Sequence, residues 1–291
     1  MNKYTIIYNK NSRGKGLDRK YLYDILDSKN ISFDLYDVTT KEESESIVKE
    51  SINKSVEFFC SIGGDGSLNN LVNLLVKNDH PSPVVACLPA GSGSDFIRTF
   101  GIPQNIDEAV EHLISDSTYL IDIGKIEYEG QDEYFINVAN IGFLANTVST
   151  SESVPNYLRK YRYSIGFWTR LPAAKPMQMN LYIDGKEYSG EVFNASICNA
   201  QFFGGGKNIS PKSNLQDGKF NVQIFEVTKG TAMKIFFKSN KGLHLKEKGV
   251  INKLASEIIV SNPLPIEKDG DYVDNCTAKI YTEKSRIRFK I

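Results

Sequence analysis

The chain has 291 residues, 41% hydrophobic and 24% charged, which is enough for two domains with real cores. Its 35 basic and 35 acidic side chains cancel, which excludes a surface adapted as a whole to nucleic acid and leaves local patches to find. No apolar run approaches the roughly 18 residues of a membrane-spanning helix, and Cys60, Cys87, Cys198 and Cys276 are too scattered for a metal cluster or a disulfide framework, so buried reduced thiols are expected.

The N-terminus reads as a short apolar strand, Lys3 to Tyr8, rather than a secretory signal, and a soluble cytoplasmic protein is expected. A polar loop, Asn9 to Gly16, leads to an amphipathic helix around Tyr21 to Leu26. A strand at Ile31 to Val38 and a charged helix from Lys41 to Asn53 follow, then an apolar strand, Val56 to Cys60. This alternation predicts a parallel sheet covered by helices, with ligands beyond the carboxyl ends of its strands.

Ser61 to Leu75, SIGGDGSLNNLVNLL, is a strand-to-helix turn, because Leu68, Leu71, Val72 and Leu75 recur at helical spacing. Gly63, Gly64 and Gly66 allow a tight turn, and the free N–H groups opening the helix favour an anion such as phosphate. Asp65 in that turn either caps the helix or binds a phosphate-associated Mg²⁺, directly or through water. A strand at Val84 to Leu88 enters a second glycine turn, Pro89 to Asp95, in which Ser92 can donate to a phosphate or ribose and Asp95 can cap. A helix-like Phe96 to Phe100, a stop at Pro103 and a helix over Ile106 to Ile114 close the domain.

From about Leu120 short strands separated by turn signals replace the alternation: Leu120 to Tyr128, Glu133 to Val138, Met177 to Ile183 with a turn at Asp184-Gly185, Val192 to Cys198, Phe220 to Val227, Glu257 to Ser261 and Thr277 to Tyr281. They predict a largely antiparallel, sandwich-like domain, with the boundary near Ile123. Two interruptions, Ser149 to Pro176 and Thr228 to Lys253, read as helical or looped. Tyr157 to Lys175 mixes Arg159, Lys160, Arg162, Arg170 and Lys175 with Tyr157, Tyr161, Tyr163, Phe167 and Trp168. Lys229 to Lys253 mixes lysines with Met233, Ile235, Phe236 and Phe237. Such mixtures suit an anionic membrane surface, or else a solvated face over ordinary core aromatics.

In order, Gly63-Gly-Asp-Gly-Ser67, Pro89-Ala-Gly-Ser-Gly-Ser-Asp95, Asn137-Val-Ala-Asn-Ile-Gly-Phe143, Phe203-Gly-Gly-Gly206, Asp217-Gly218 and Asp269-Gly-Asp271 resemble the motifs of the bacterial diacylglycerol kinase and lipid kinase family, related to sphingosine kinases and NAD kinases. The resemblance implies an α/β, NAD kinase-like nucleotide-binding domain over 1–123. It implies a β-rich, largely antiparallel sandwich-like domain over 124–291, its last residues packing back on the first. It implies ATP and Mg²⁺ as cofactors and a lipid alcohol, such as diacylglycerol, as acceptor at the inner membrane face. No nucleic-acid partner is implied, and a homodimer is compatible with it.

Carried over residue by residue, Asn9, Lys10, Asn11, Ser12, Arg13, Thr39, Gly63, Gly64, Asp65, Gly66, Ser67, Leu68, Asn69 and Ser92 would surround the nucleotide. Asp217, with the carbonyls of Asn214 and Lys219, would hold a structural magnesium. Asp271 stands where the family has a glutamate acting as proton acceptor, with Asp269 beside it, and Asp65 would act through the nucleotide's magnesium. Phosphoryl transfer to a hydroxyl needs such a set: a carboxylate to take the proton, and a cation with amide donors to offset phosphate charge. No lysine-bearing P-loop occurs here.

The chain departs from the family at several positions. Lys10 replaces a proline, Arg13 a glycine, Ser67 and Ser92 threonines, Ser94 an asparagine and Leu144 an acid, and Asp271 is one methylene shorter than glutamate. These departures keep open a sphingoid or soluble alcohol as acceptor, or a catalytically weak nucleotide-binding regulatory protein.

Overall fold

The computed structural model describes residues 3–10, 17–90, 93–151 and 161–291. The chain divides into two compact units, Met1–Ile121 with Ser285–Ile291, and Asp122–Lys284.

Unit 1 runs β1 (Lys3–Asn9), α1 (Arg19–Ser28), β2 (Ser32–Val38), α2 (Lys41–Asn53), β3 (Phe58–Gly63), α3 (Asp65–Lys77), β4 (Val84–Pro89), then three single-turn helices, α4 (Asp95–Arg98), α5 (Ile106–Ala109) and α6 (Glu111–Ile114). All strand pairs are parallel, in the order β4-β3-β1-β2. Such a sheet is covered on both faces, and β3 and β4 are accordingly near-continuous buried apolar runs. Because β1 pairs with β2 on one side and β3 on the other, the chain leaves its carboxyl end in opposite directions. That reversal opens a crevice there.

Local chemistry sets the helix ends. Thr40 caps α2 in a capping box with Glu43, and Asp18 caps α1 by accepting from Lys20 N–H. Leu68, Leu71, Val72 and Leu75 form the buried stripe of α3. The C-terminal residues belong to this unit: Arg288 and Phe289 pair in parallel with Val84 and Val85 of β4, and the Phe289 ring packs 5.1 Å from Phe96 and 5.0 Å from Phe100. The expected helix over Ile106 to Ile114 is instead α5 and α6, and Phe96 to Phe100 shortens to the single turn of α4.

Unit 2 is built from β5 (Thr118–Tyr128, entering from unit 1), β6 (Gln131–Phe135), β7 (Val138–Gly142), α7 (Phe143–Ser151), α8 (Arg162–Arg170), β8 (Met177–Ile183), β9 (Lys186–Val192), β10 (Asn194–Cys198), the two-residue strands β11 (Phe202–Phe203) and β12 (Lys207–Asn208), β13 (Phe220–Phe225), α9 (Lys229–Lys238), β14 (Val250–Ala255), β15 (Glu257–Lys268) and β16 (Asp271–Lys290, ending in unit 1). Its strand pairs are antiparallel. β15 joins two sheets: its first half pairs with β8, its end pairs with β7, and register shifts between Val260 and Leu264 and between Ile266 and Glu267 bend it between them. Ile141, Ile197, Val222, Leu181, Ile258 and Ile280 belong to the buried apolar core of this sandwich.

The turn expected at Asp184-Gly185 is present, with φ of 47° and 74° at its two central residues, the backbone a two-residue hairpin of this hand requires. Asp269 and Gly270, at 47° and 89°, make the same turn between β15 and β16. Gly124 is needed for packing: a Cβ there would lie 2.2 Å from the Phe135 ring. The segment Thr228 to Lys253, expected to be helical or looped, contains α9 but ends in β14. All four cysteines are buried and free. Among the described residues no helix is long and apolar enough to cross a membrane.

Candidate active site

In unit 1, Asn9 at the end of β1, Thr39 after β2, Ser61 on β3 and Gly66 and Ser67 at the start of α3 line one cavity of about 570 Å³. Asn9 Nδ2 donates to Ser67 Oγ at 3.2 Å, tying the two strand ends together. Thr40, Lys41, Ser44 and Asn70 also line this cavity. The sequence reading missed them, although the Thr40–Glu43 capping box marks a second helix start at this rim. Glu43 already accepts the Thr39 and Thr40 amides, so the amides opening α3 are better placed for an anion.

The remaining nucleotide candidates fall into three groups. Gly63 and Gly64 form the strand-to-helix turn, with Gly64 as the α3 N-cap. Leu68 and Asn69 are buried on the inner face of α3, and Asn69 Oδ1 accepts from Asn73 Nδ2 at 3.0 Å. Lys10 pairs with Asp37 at 2.8 Å. Asn11, Ser12, Arg13 and Ser92 lie outside the described residues.

Asp65 does not cap its own helix. Its Oδ2 accepts from Asp95 N–H and its Oδ1 from Phe96 N–H, each at 2.9 Å, so it latches the second glycine turn to the first. Burial raises its pKa, and the two amides and the Arg98 charge oppose that rise.

In unit 2 the turn Asp269-Gly270-Asp271 carries two carboxylates in opposite environments. Asp269 is 8% exposed. Its Oδ2 accepts from Ile136 N–H at 2.7 Å, and its Oδ1 from Asn137 and Val138 N–H at 3.0 and 2.9 Å. Asp271 is exposed and, among the described residues, has no hydrogen-bond or ion-pair partner. The Asp269 oxygens are occupied by these amide donors, whereas Asp271 is open to a substrate.

Two residues before Asp269, Glu267 is fully buried. Its Oε1 accepts from Asn140 Nδ2, its Oε2 accepts from Gly270 N–H at 2.9 Å, and burial pushes its carboxyl up to about 8. Sequence reasoning passes over Glu267. The available signal is the period-2 placement of polar residues in two apolar strands, Asn140 in β7 and Asn194 and Ser196 in β10, which marks one polar sheet face.

The expected metal residues form a turn. Asp217 Oδ1 accepts from Lys219 N–H at 3.0 Å, Asn214 Oδ1 accepts from Gln216 N–H at 3.1 Å, and Gly218 N–H reaches Asp122 at 2.7 Å. Asp217 and Asn214 are exposed. Among the described residues no cluster of three or more His, Cys, Asp or Glu side chains could hold a metal; the donor chemistry of one carboxylate with backbone carbonyls is the all-oxygen kind that Mg²⁺ takes.

Unit 2 also holds an apolar cavity of about 700 Å³ lined by Phe143, Phe167, Phe193, Phe203, Phe225 and Phe236, with Asn194, Leu144 and Tyr163 among its other walls. A Cβ on Gly270 would lie 2.2 Å from Tyr163 Oη, so this wall of the cavity abuts the Asp269-Gly270-Asp271 turn.

Comparison with known proteins agrees with these features. A model of the diacylglycerol kinase catalytic domain matches residues 3–126, and a model of the YegS C-terminal NAD kinase beta sandwich-like domain matches residues 137–286. The diacylglycerol kinase of Bacillus subtilis is 26% identical over 280 residues, 94% of this chain and 90% of its own. That of Staphylococcus carnosus is 27% identical over 290 residues, 97% and 92%. The crystal structure of a diacylglycerol kinase from Bacillus anthracis shares the fold, with a TM-score of 0.74 at 19% identity over 99% of this chain and 96% of that one. With both domain models matched in order, the chain belongs to the diacylglycerol kinase family of lipid kinases.

Proposed function

We propose that the chain transfers the γ-phosphate of ATP, with Mg²⁺, to the hydroxyl of diacylglycerol or a related lipid alcohol, giving phosphatidic acid or the corresponding lipid phosphate. The observation that carries this reading is the apolar cavity of unit 2, whose wall residue Tyr163 touches the turn bearing the exposed Asp271. Its apolar, aromatic lining suits an acyl chain rather than a soluble alcohol.

Asp271 takes the proton of the lipid hydroxyl as its oxygen bonds to the γ-phosphorus and the bond to the β-phosphate oxygen breaks. Asn9, Ser67 and the amides opening α3 orient the phosphates. Asp65, each of whose oxygens retains a lone pair beyond the amide it accepts, would be a carboxylate donor available to the nucleotide's magnesium. Asp217, with the carbonyls of Asn214 and Lys219, would hold a structural magnesium. When bound, magnesium offsets the charge that builds on the phosphate oxygens.

Helices α8 and α9 support peripheral binding to an anionic membrane. Trp168 and Phe237 are 37% and 60% exposed, their rings 5.7 Å apart, among Arg170, Lys234 and Lys238. Tyr157, Arg159 and Lys160 of the first basic-aromatic stretch lie outside the described residues. Phe167 packs inward against Phe236 at 4.3 Å, so only part of each stretch is surface.

Transfer of labelled γ-phosphate to a panel of lipid alcohols, resolved by chromatography, tests the proposal. Folded, ATP-binding protein that labels no lipid would refute it.

A further inference from the structure

Glu267 begins a buried row of polar side chains that crosses the sheet on the face opposite the apolar core. Glu267, Asn140 and Ser196 are register partners across β15, β7 and β10. Ser196 Oγ donates to Asn140 Oδ1 at 2.5 Å, Asn194 Nδ2 donates to Asn140 Oδ1 at 3.2 Å and to Ser196 Oγ at 3.0 Å, and Asn194 Oδ1 accepts from Leu144 N–H at 2.9 Å. Asn194 and Leu144 are walls of the apolar cavity.

Backbone donors at both ends fix every amide in this row. The Leu144 N–H can only donate, so Asn194 must turn its oxygen to it and its Nδ2 towards Asn140. Asn140 then presents its oxygen to Asn194 and Ser196, and its Nδ2 to Glu267. At the other end, the Gly270 N–H can only donate to Glu267. An oxygen facing each donor is required at 267, and glutamate supplies it in either protonation state, since the hydroxyl oxygen of the neutral acid keeps acceptor capacity.

We infer that Glu267 is a positioning residue for phosphoryl transfer: through the Gly270 amide it sets where the Asp271 carboxylate stands, and through Asn140, Ser196 and Asn194 it couples that carboxylate to the wall of the lipid cavity. A satisfied buried network of this kind rigidifies what it touches, and a partly satisfied one leaves a donor stranded. Proton transfer depends on placement of the base to within a fraction of an ångström.

The inference rests on the lipid-kinase reading, and the experiment separates the two. Lipid turnover is measured on the full chain, with kcat expressed per nucleotide-binding-competent molecule, for the wild type, Glu267→Gln, Ser196→Ala and the double variant. Glutamine can accept from only one of the two donors, so Glu267→Gln is expected to lower kcat about tenfold with the KM for ATP and for lipid within about twofold. Ser196→Ala, which removes a hydroxyl and keeps the Asn194 bond to Asn140, is expected to lower kcat about threefold, and the double variant less than the product of the two.

A wild-type enzyme that labels no lipid refutes the lipid-kinase reading. Active wild type with unchanged kcat in Glu267→Gln, or with losses that appear only in KM, overturns the role of Glu267. If Glu267→Gln does not fold, Ser196→Ala decides alone: wild-type kcat in that variant overturns the coupling.

Discussion

Replacing Asp269 and Asp271 by asparagine, one at a time, separates two residues that the sequence presents as equivalents. In Asp269→Asn the new side chain keeps one acceptor oxygen. Turned towards Asn137 and Val138, that oxygen leaves the Ile136 N–H against an NH₂ group; turned towards Ile136, it strands the other two amides. Hydrogen bonds to a charged group contribute about 1.5–3 kcal/mol each, so losing one and weakening two costs roughly 3 kcal/mol. For a unit of roughly 150–250 residues that lowers Tm by about 6–12 °C. Asp271 is exposed and makes no contact of this kind, so Asp271→Asn should leave Tm within about 1 °C while lowering kcat by a factor of about 10²–10⁴, the usual contribution of a general base. Calorimetry and lipid-phosphorylation assays on the two variants check this. An unchanged Tm with lost turnover in Asp269→Asn, together with an active Asp271→Asn, would reverse the assignment and make Asp269 the base.

Asp65→Asn can accept only one of the amides of Asp95 and Phe96; kcat is expected to fall at least about tenfold, and unchanged turnover would remove Asp65 from the mechanism. Burial holds His112 and His244 at about 4, below the ordinary 6.5. Their contribution to stability is therefore present above pH 6.5 and is lost as pH falls towards 4, by up to about 3 kcal/mol each. Glu267 has the opposite sign: with its carboxyl raised from 4.5 to about 8, its contribution is full below pH 4.5 and is lost as pH rises to 8. Denaturant titrations across roughly pH 4 to 9 should give a stability maximum between the two limbs, with the acid limb shallower in His112→Leu and the alkaline limb shallower in Glu267→Gln. Co-sedimentation with vesicles containing anionic lipid should weaken at high salt and in a Trp168→Ala, Phe237→Ala variant; binding indifferent to both would remove α8 and α9 from the membrane face.

The parts of the fold legible in the sequence are those where one local signal decides. The α3 start can be read because glycines give way to a 3.6-residue apolar period, and the hairpin at Asp184-Gly185 because few residue pairs tolerate two positive φ values. A strand read from sequence stops at Ser261, short of the full β15, because Pro263 and Pro265 follow and proline argues against a regular strand. The structure accommodates that stretch at the register shift between Val260 and Leu264. β14, with exposed Asn252, Lys253 and Leu254, carries too little alternation to be recognised before its pairing with β13 is known.

The site is legible as a set of motifs but not as a set of roles. Asp269 and Asp271 sit two residues apart with the same chemistry, and only amides more than 130 residues away in the chain distinguish them. Glu267 needs partners from β7 and from its own turn before it differs from a solvated strand carboxylate. The same separation applies to Asn140, Asn194 and Ser196, which their period-2 placement marks only as one polar sheet face. In the structure that face is covered, and the residues on it are buried. Apolar residues in their place would remove the desolvation cost, but would leave the Gly270 and Leu144 amides without acceptors. Two fixed backbone donors, one at the Asp269-Gly270-Asp271 turn and one at the apolar cavity, are therefore joined by a continuous polar row, and glutamate at 267 is the member that accepts at the turn.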